Sequence, residues 1–227
     1  MNYVFDVPEI PSVNISGTSD LFPVHRIYCV GQNYVKHARE MGINVDRISP
    51  FFFSKPSDSV IPLATQVPFP LATENLQHEI ELVVAIGKKG IEIQESEALE
   101  HVYGYAVGID LTRRDLQIEA KMKSQPWTTA KGFDKSAPCS SIHLVSKDGY
   151  LDKGKITLSV NDEIRQKGDI SEMIWSVKEI ISFLSSFFEL FPGDLIFTGT
   201  PRGVGQLKRG DKVEGEIENL EKFIFKI

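Results

Sequence analysis

The sequence predicts an α+β fold in which short strands dominate. Three observations carry that expectation: repeated short apolar or alternating runs bounded by Gly, Pro and Asn-Asp turns, a single strongly periodic helical stretch, and the absence of internal repeats or low-complexity segments. A chain of 227 residues suits one domain, and it can bury most of its apolar surface while leaving room for an internal site.

Residues 1–23 carry Pro8, Pro11, Gly17 and Pro23 among short apolar pieces without helical period. They are expected to form an extended N-terminal arm or small hairpin packed on a single domain spanning 24–227. Residues 26–30 read as a buried strand closed by Gly31, and 33–41 have helix-forming composition ending at Gly42. Residues 43–76 are rich in Pro, Ser, Thr and Phe, with 51–53 as one strand. Residues 79–86 alternate, placing Glu79 and Glu81 on one face of a strand. Residues 103–109 form a second apolar strand. It leads into a polar helix start with Asp110 or Thr112 as the cap. Residues 156–160 make a strand, turned by Asn161-Asp162. Residues 171–189 place Met173, Ile174, Val177, Ile180, Ile181, Leu184, Phe187 and Phe188 at helical spacing, predicting a core-packing helix over the whole stretch. Pro192-Gly193-Asp194 then turns into a strand at 195–198, a Gly-rich loop at 199–205, and a closing strand at 223–225.

Hydrophobic residues make up 41% and charged residues 25%, ordinary values for a globular protein, and the net charge is −6. With no local Lys/Arg cluster to reverse that sign, a nucleic-acid partner is not expected. An anionic substrate would need a local cation to invert the field at its site. Cys29 and Cys139 are not spaced as metal ligands and read as buried free thiols, which suits a reducing compartment. No apolar run is long enough to span a bilayer. The first basic residue is Arg26, so neither a signal peptide nor a transit helix is expected, and cytoplasm is the expected location.

Several clusters carry potential chemistry. Glu79 and Glu81 are two apart on a strand, so they project side by side, and adjacent carboxylates repel unless protonated or bridged by a cation. A solvent-facing strand edge also accommodates them. Asp110 stands where the next apolar strand stops. Together the three offer an all-oxygen ligand set that suits Mg²⁺ or Mn²⁺ better than Zn²⁺. His37 and Glu40, three apart, share a face of a helical turn. A carboxylate orienting an imidazole makes a general base, although a solvent-exposed pair has the same spacing. Lys131, between small and apolar neighbours, is placed either to hold an enolate or carboxylate oxygen or to snorkel at the surface. The loop 198–205 is neither a P-loop nor a dinucleotide fingerprint. Its backbone N–H groups and the Thr200 hydroxyl could take a carboxylate, or the loop is a plain structural turn.

In series, these segments resemble one family. The Gly31-x-Asn33-Tyr34-x-x-His37-x-x-Glu40-Met41 stretch, Phe53-x-Lys55-Pro56, His78-Glu79-Ile80-Glu81-Leu82, Gly104-Tyr105 through Asp110-x-Thr112-x-Arg114-Asp115-x-Gln117, Ala130-Lys131-x-Phe133-Asp134 and Gly199-Thr200-Pro201-x-Gly203-Val204-Gly205 look like the fumarylacetoacetate hydrolase family, from about residue 25 to the C-terminus. The nearest branch is that of the small acylpyruvase and oxaloacetate-decarboxylase-like enzymes. The resemblance implies a mixed β-roll, usually a homodimer. It implies Glu79, Glu81 and Asp110 as ligands of Mg²⁺ or Mn²⁺, and His37 with Glu40 as a dyad on a lid segment. Lys131 becomes an active-site lysine. Gln117, Arg114 and the carboxylate-binding Thr200 become substrate residues, and Gln32, where relatives often carry Arg or Ser, a residue that tunes preference. The implied activity is metal-dependent cleavage of a carbon–carbon bond in a small 2-keto acid. It covers acylpyruvate hydrolysis, oxaloacetate decarboxylation or both, with pyruvate leaving as its enolate. Two alternatives are an isomerase or decarboxylase of an unsaturated dicarboxylate of the 2-hydroxyhepta-2,4-diene-1,7-dioate type, and a non-catalytic binding protein that keeps the fold.

Overall fold

The run Ile80–Ile86 has no polar residue except Glu81, and such a strand needs both faces covered. In the computed structural model, which describes residues 3–35, 49–62 and 66–227, it is buried along its whole length inside a mixed eight-stranded sheet. In chain order the elements are β1 (Ser12–Asn14), β2 (Leu21–Pro23), β3 (Arg26–Gly31), β4 (Phe51–Lys55), β5 (Val60–Pro62), β6 (Leu76–His78), β7 (Ile80–Ile86), β8 (Val102–Ile109) and β9 (Thr112–Arg113). Then come α1 (Arg114–Met122), α2 (Thr128–Lys131), β10 (Ala137–Cys139), β11 (His143–Leu144), α3 (Val145–Asp148), β12 (Lys155–Val160), β13 (Glu163–Asp169) and α4 (Val177–Ser185). The chain closes with β14 (Asp194–Phe197), β15 (Gly205–Gln206), β16 (Lys212–Ile217) and β17 (Phe223–Lys226).

The large sheet runs β4-β3-β14-β7-β8-β10-β5, with β11 beside β8; β3/β14 and β10/β5 are parallel and the other pairs antiparallel. Because side chains alternate along a strand, β7 feeds two separate cores. Ile80, Leu82, Val84 and Ile86 pack toward α4 and the antiparallel sheet β13-β12-β16-β17. Val83 and Ala85 face the other way, against Ile27, Cys29 and Phe197 and the β1–β2 hairpin residues Val13 and Phe22. Glu79 and Glu81 belong to this second set by parity, so they extend its face beyond the apolar core. The expected β-rich α+β fold, a mixed β-roll, is what forms. The Asn161-Asp162 turn joins β12 to β13 with both φ positive (50° and 66°), the geometry of a type I′ hairpin.

Two local expectations need correction. The helix expected over 171–189 is confined to α4, preceded by a short 3₁₀ turn at Ile170–Glu172. Residues 173–175 leave the helix instead, Met173 extended and Ile174–Trp175 in a bend. Tyr34 bridges Met173, the Ile174 N–H donates to the Asn33 carbonyl at 2.7 Å, and the Trp175 N–H donates to Asn33 Oδ1 at 2.7 Å. The apolar period therefore continues through a change of conformation. Likewise, neither Asp110 nor Thr112 caps α1, which starts only at Arg114; the intervening residues form β9 and pair with β6. The predicted helix at 33–41 lies largely outside the described residues, and its first member, Asn33, is buried with Nδ2 donating to the carbonyls of Trp175 and Thr198.

What starts α4 is a capping interaction: the Ser176 N–H and hydroxyl donate to Glu179 at 2.9 and 2.7 Å. Replacing Ser176 by Ala is expected to remove about 1 kcal/mol of stability. That would read as a fall of about 2–4 °C in the thermal midpoint.

Candidate metal centre

Strand register builds the site. Ile80 pairs with Ile109, and one step outward the Asp110 N–H donates to the Glu79 carbonyl at 2.8 Å. Glu79 and Asp110 thus stand opposite each other at the open end of the β7/β8 pair, where cross-strand side chains share a face and lie close. Glu81, two residues along β7, projects from the same face. The three carboxylates each offer an oxygen within 4.8 Å of the others, and all three are buried. The observed face is interior, so the solvent-edge alternative for Glu79 and Glu81 falls.

The loop after β14 closes one side. The Thr198 hydroxyl donates to the Leu82 carbonyl at 2.8 Å and the Thr200 hydroxyl to the Ile80 carbonyl at 2.7 Å, so the loop follows the edge of β7. Between them the Gly199 N–H donates to Glu81 Oε2 at 2.7 Å. Gly199 holds φ +94°, and a Cβ there would come within 2.7 Å of Asn33 Cβ, so both conformation and space call for glycine. Gln166 of β13 locks the loop. Its Nε2 donates to Thr200 Oγ1 and the Pro201 carbonyl, both at 2.8 Å, which leaves Oε1 to accept from the Ile80 N–H and from His78 Nδ1. The His78 proton therefore sits on Nδ1, and burial lowers this imidazole's pKa below its ordinary value.

Cations surround two of the three acids. Lys131 Nζ donates to Glu79 at 2.8 Å and to Asp110 at 2.6 Å. Arg114 bonds Glu79 and Gln117 and donates to Gln77 Oε1 at 2.7 Å. Lys55 Nζ lies 2.8 Å from Asp110 Oδ1 and bonds the backbone carbonyl of Lys131. Burial pulls the Lys131 ammonium down, but Asp110 and Glu79 outweigh it and hold its pKa raised. Lys131 is thus buried in the site, and the snorkelling alternative falls with it.

The cleft over the triad is lined by Gln32, Arg114, Gln117, Lys131 and Thr200 together with the three acids. It brings together every residue singled out from the sequence except His37 and Glu40, which lie outside the described residues. Gln32 occupies the left-handed region at φ 60°, unusual for a residue with a side chain, directly at the cleft wall. Lys55, Gln166 and Lys121 were not assigned a role from sequence. Lys55 was recoverable: in β4, Phe51, Phe53 and Lys55 share a face, and Phe53 lines the cleft. Gln166 had no such signal, because its partners come from β7, β6 and the 199–205 loop.

Glu81 differs from its neighbours. Among the described residues no cation is ion-paired with it, and its pKa is pushed well above the ordinary carboxylate value by burial, then by Asp110 and Glu79, against Lys131 and the Gly199 N–H. A divalent cation shared by the three acids would supply the missing countercharge, and the all-oxygen donor set fits a hard ion. Glu81's folded pKa is raised, so the group favours the metal-free fold below its ordinary value of 4.5 and loses that contribution as pH rises through the folded value. Glu81→Gln is expected to raise the thermal midpoint of the metal-free protein at neutral pH. It should also abolish the increase that Mg²⁺ or Mn²⁺ produces in the parent. A variant as responsive to metal as the parent would remove Glu81 from the ligand set.

The chain is similar to several known proteins. The human protein named oxaloacetate tautomerase FAHD1, mitochondrial, is 43% identical over 201 residues, covering 88% of this chain and 90% of its own. A fumarylpyruvate hydrolase from Ralstonia sp is 43% identical over 182 residues, 79% of this chain and 94% of its own. Among solved structures, fumarylpyruvate hydrolase from Pseudomonas aeruginosa, in complex with Mn²⁺ and pyruvate, superposes with a TM-score of 0.96 at 49% identity, covering 99% and 98% of the two chains. A 5-carboxymethyl-2-hydroxymuconate delta-isomerase from Mycobacterium smegmatis gives 0.78 at 30% identity, covering 90% and 80%. The family model described as fumarylacetoacetate (FAA) hydrolase C-terminal matches residues 26–227. By motif, fold and site alike, the chain belongs to the fumarylacetoacetate hydrolase family.

Proposed function

We propose that the chain is a Mg²⁺- or Mn²⁺-dependent enzyme that cleaves a carbon–carbon bond in a small 2-keto acid, with acylpyruvates as its substrates. The observation that carries this reading is the buried Glu79–Glu81–Asp110 triad with Lys131 at its centre. A bound divalent ion there supplies positive charge to the carboxylate and keto oxygens of such a substrate. The chain's own groups supply the rest. Lys131 is fixed by two carboxylates and places an ammonium where negative charge develops on the keto oxygen. Gln117 lines the same cleft, oriented by Arg114. Thr200 stands at the opposite wall, its hydroxyl proton committed to the Ile80 carbonyl.

Hydrolysis needs a base. Val30, Gly31 and Gln32 line the cleft, so His37 follows five residues after its wall in the sequence, and Glu40 three residues after that. We assign His37 to take a proton from water, oriented by Glu40. The resulting hydroxide adds to the distal carbonyl carbon. The carbon–carbon bond then breaks, its electron pair becomes the enolate of pyruvate, and the acyl fragment leaves as a carboxylic acid. The enolate recovers a proton to give pyruvate. Oxaloacetate reaches the same enolate by losing CO₂ without water attack.

A second reading, keto–enol tautomerisation of oxaloacetate, is favoured by the 43% identity to the protein of that name. It passes through the enolate of oxaloacetate itself: a proton leaves C3, one returns to the keto oxygen, and no carbon–carbon bond is broken. The free, buried thiols of Cys29 and Cys139 suit a reducing compartment, and we place the chain in the cytoplasm, as a homodimer. No helix of the described residues is long and apolar enough to cross a membrane.

Acetylpyruvate, fumarylpyruvate, oxaloacetate and unsaturated dienedioates assayed with and without EDTA test the reading; activity surviving complete metal removal would rule it out. His37→Ala is expected to slow acylpyruvate hydrolysis by about 10²–10⁴. Oxaloacetate decarboxylation should fall much less, and equal losses would contradict the role given to His37.

A further inference from the structure

The cations of the cleft divide into two kinds. Arg114 and Lys131 line it with their charges already engaged by Glu79 and Asp110, and Lys55 is engaged behind it. Lys121 also lines the cleft, yet among the described residues its ammonium makes no hydrogen bond and no ion pair; what it meets is the ring of Trp127, 5.1 Å from the ring centroid. Half-buried, it lies in the fields of Arg114, Glu79 and Lys131, and burial, then Arg114, pull its pKa down against Glu79. A cation in that position is completed by a ligand anion.

Its place on α1 sets the distance. Arg114, Gln117 and Lys121 stand at i, i+3 and i+7, one face of the helix, and all three reach the cleft. Seven residues of helix separate the Arg114 and Lys121 backbones by about 10 Å. Lys121 therefore enters the cleft about two helical turns beyond Arg114, at the end where Trp127 stands. It suits a second carboxylate at the other end of an elongated molecule. Trp127 marks a fork at this point. Behind it, in contact with Phe51 and Phe53, opens a groove of about 450 Å³ lined by aromatic and uncharged residues. An apolar acyl tail could enter that groove, whose walls offer a carboxylate no cation.

We propose that Lys121 is a specificity-determining residue that binds the distal carboxylate of a dicarboxylic 2-keto acid of fumarylpyruvate length. The proposal rests on the acylpyruvate reading above and deepens it. Trp127 holds the lysine stem and ammonium by cation–π contact, limiting the freedom lost on binding. One cleft has both the triad and Lys121 with Trp127 in its walls, so a ligand held at the triad meets Lys121 as it extends.

Lys121→Met keeps the aliphatic stem and removes the charge, and Lys121→Arg keeps the charge. The readout is the ratio of kcat/KM for fumarylpyruvate to that for acetylpyruvate, which has no distal carboxylate. Lys121→Met should lower this ratio about tenfold to a hundredfold, and Lys121→Arg should recover most of it. A ratio within twofold of the parent in Lys121→Met would overturn the proposal. Calorimetric titration of fumarate and of pyruvate into the same three Mn²⁺-loaded proteins makes the comparison without turnover. The ratio of the fumarate Kd to the pyruvate Kd should rise at least tenfold in Lys121→Met, and an unchanged ratio overturns the proposal. Failure of the parent to turn over either acylpyruvate would sink the reaction assigned above, while the titrations would still decide the part played by Lys121.

Discussion

Three carboxylates buried on one face of a β-strand pair are the constraint on which the rest of the site depends. Like charges this close, away from water, oppose folding unless something offsets them. The protein offsets them with Lys131 and Arg114 against Glu79, and Lys131 and Lys55 against Asp110. Among the described residues Glu81 is ion-paired with no cation and accepts a hydrogen bond from the Gly199 N–H. Balancing all three acids with side-chain cations would leave no reason for a metal to bind. Balancing none would leave a fold too unstable to persist without one. The observed arrangement lies between, with a formed cavity and one carboxylate short of countercharge.

The rigidity of that arrangement comes from backbone pairing. The Glu79–Asp110 juxtaposition follows from the β7/β8 register, and a slip of β7 by one residue would turn Glu79 and Glu81 toward the opposite core, away from Asp110. The paired Ile80–Ile109 rung beneath them opposes such a slip, because both side chains are fully buried among apolar partners. The 199–205 loop is fixed to the same strand through Thr198, Thr200 and Gln166, so ligand acids and cleft wall move as one body. Glycine at 31 belongs to this design as well: the Phe51 ring lies over it, with its Cζ 2.0 Å from where a Cβ would stand. That contact brings the aromatic wall down to the cleft.

Much of this was legible in the chain, and the limits follow from which signals are local. Period-two alternation puts Glu79 and Glu81 on one side of a strand without any knowledge of the fold, and the apolar run ending at Asp110 puts that acid at a strand terminus. Pairing of the two strands is not local. The meeting of the three acids came from the family motifs, and it is the register that accounts for it. Helix limits failed for the same reason. The apolar period at 171–189 is real, but Asn33, far away in sequence, takes the backbone groups of Ile174 and Trp175 and keeps them out of the helix. Gln166 could not have been singled out, since a glutamine on a polar hairpin strand looks exposed until its four partners are seen. Lys121 resembled any other lysine near the end of a polar helix. Only the engagement of its neighbours makes it distinct.

Relatives named hydrolase, tautomerase and isomerase share this fold at 30–49% identity. What must differ is the treatment of the substrate beyond its keto-acid end. In this chain that region is bounded by Gln32, Phe53, Lys121 and Trp127, none of which touches the triad through a hydrogen bond or ion pair in the structure. Substitutions there can change what is accepted without disturbing the charge balance that holds the acids. The separation has a physical origin. The triad is built on paired strands whose register tolerates no adjustment, whereas the distal wall is made of side chains on a short helix and the turn that follows it, where one residue can change alone.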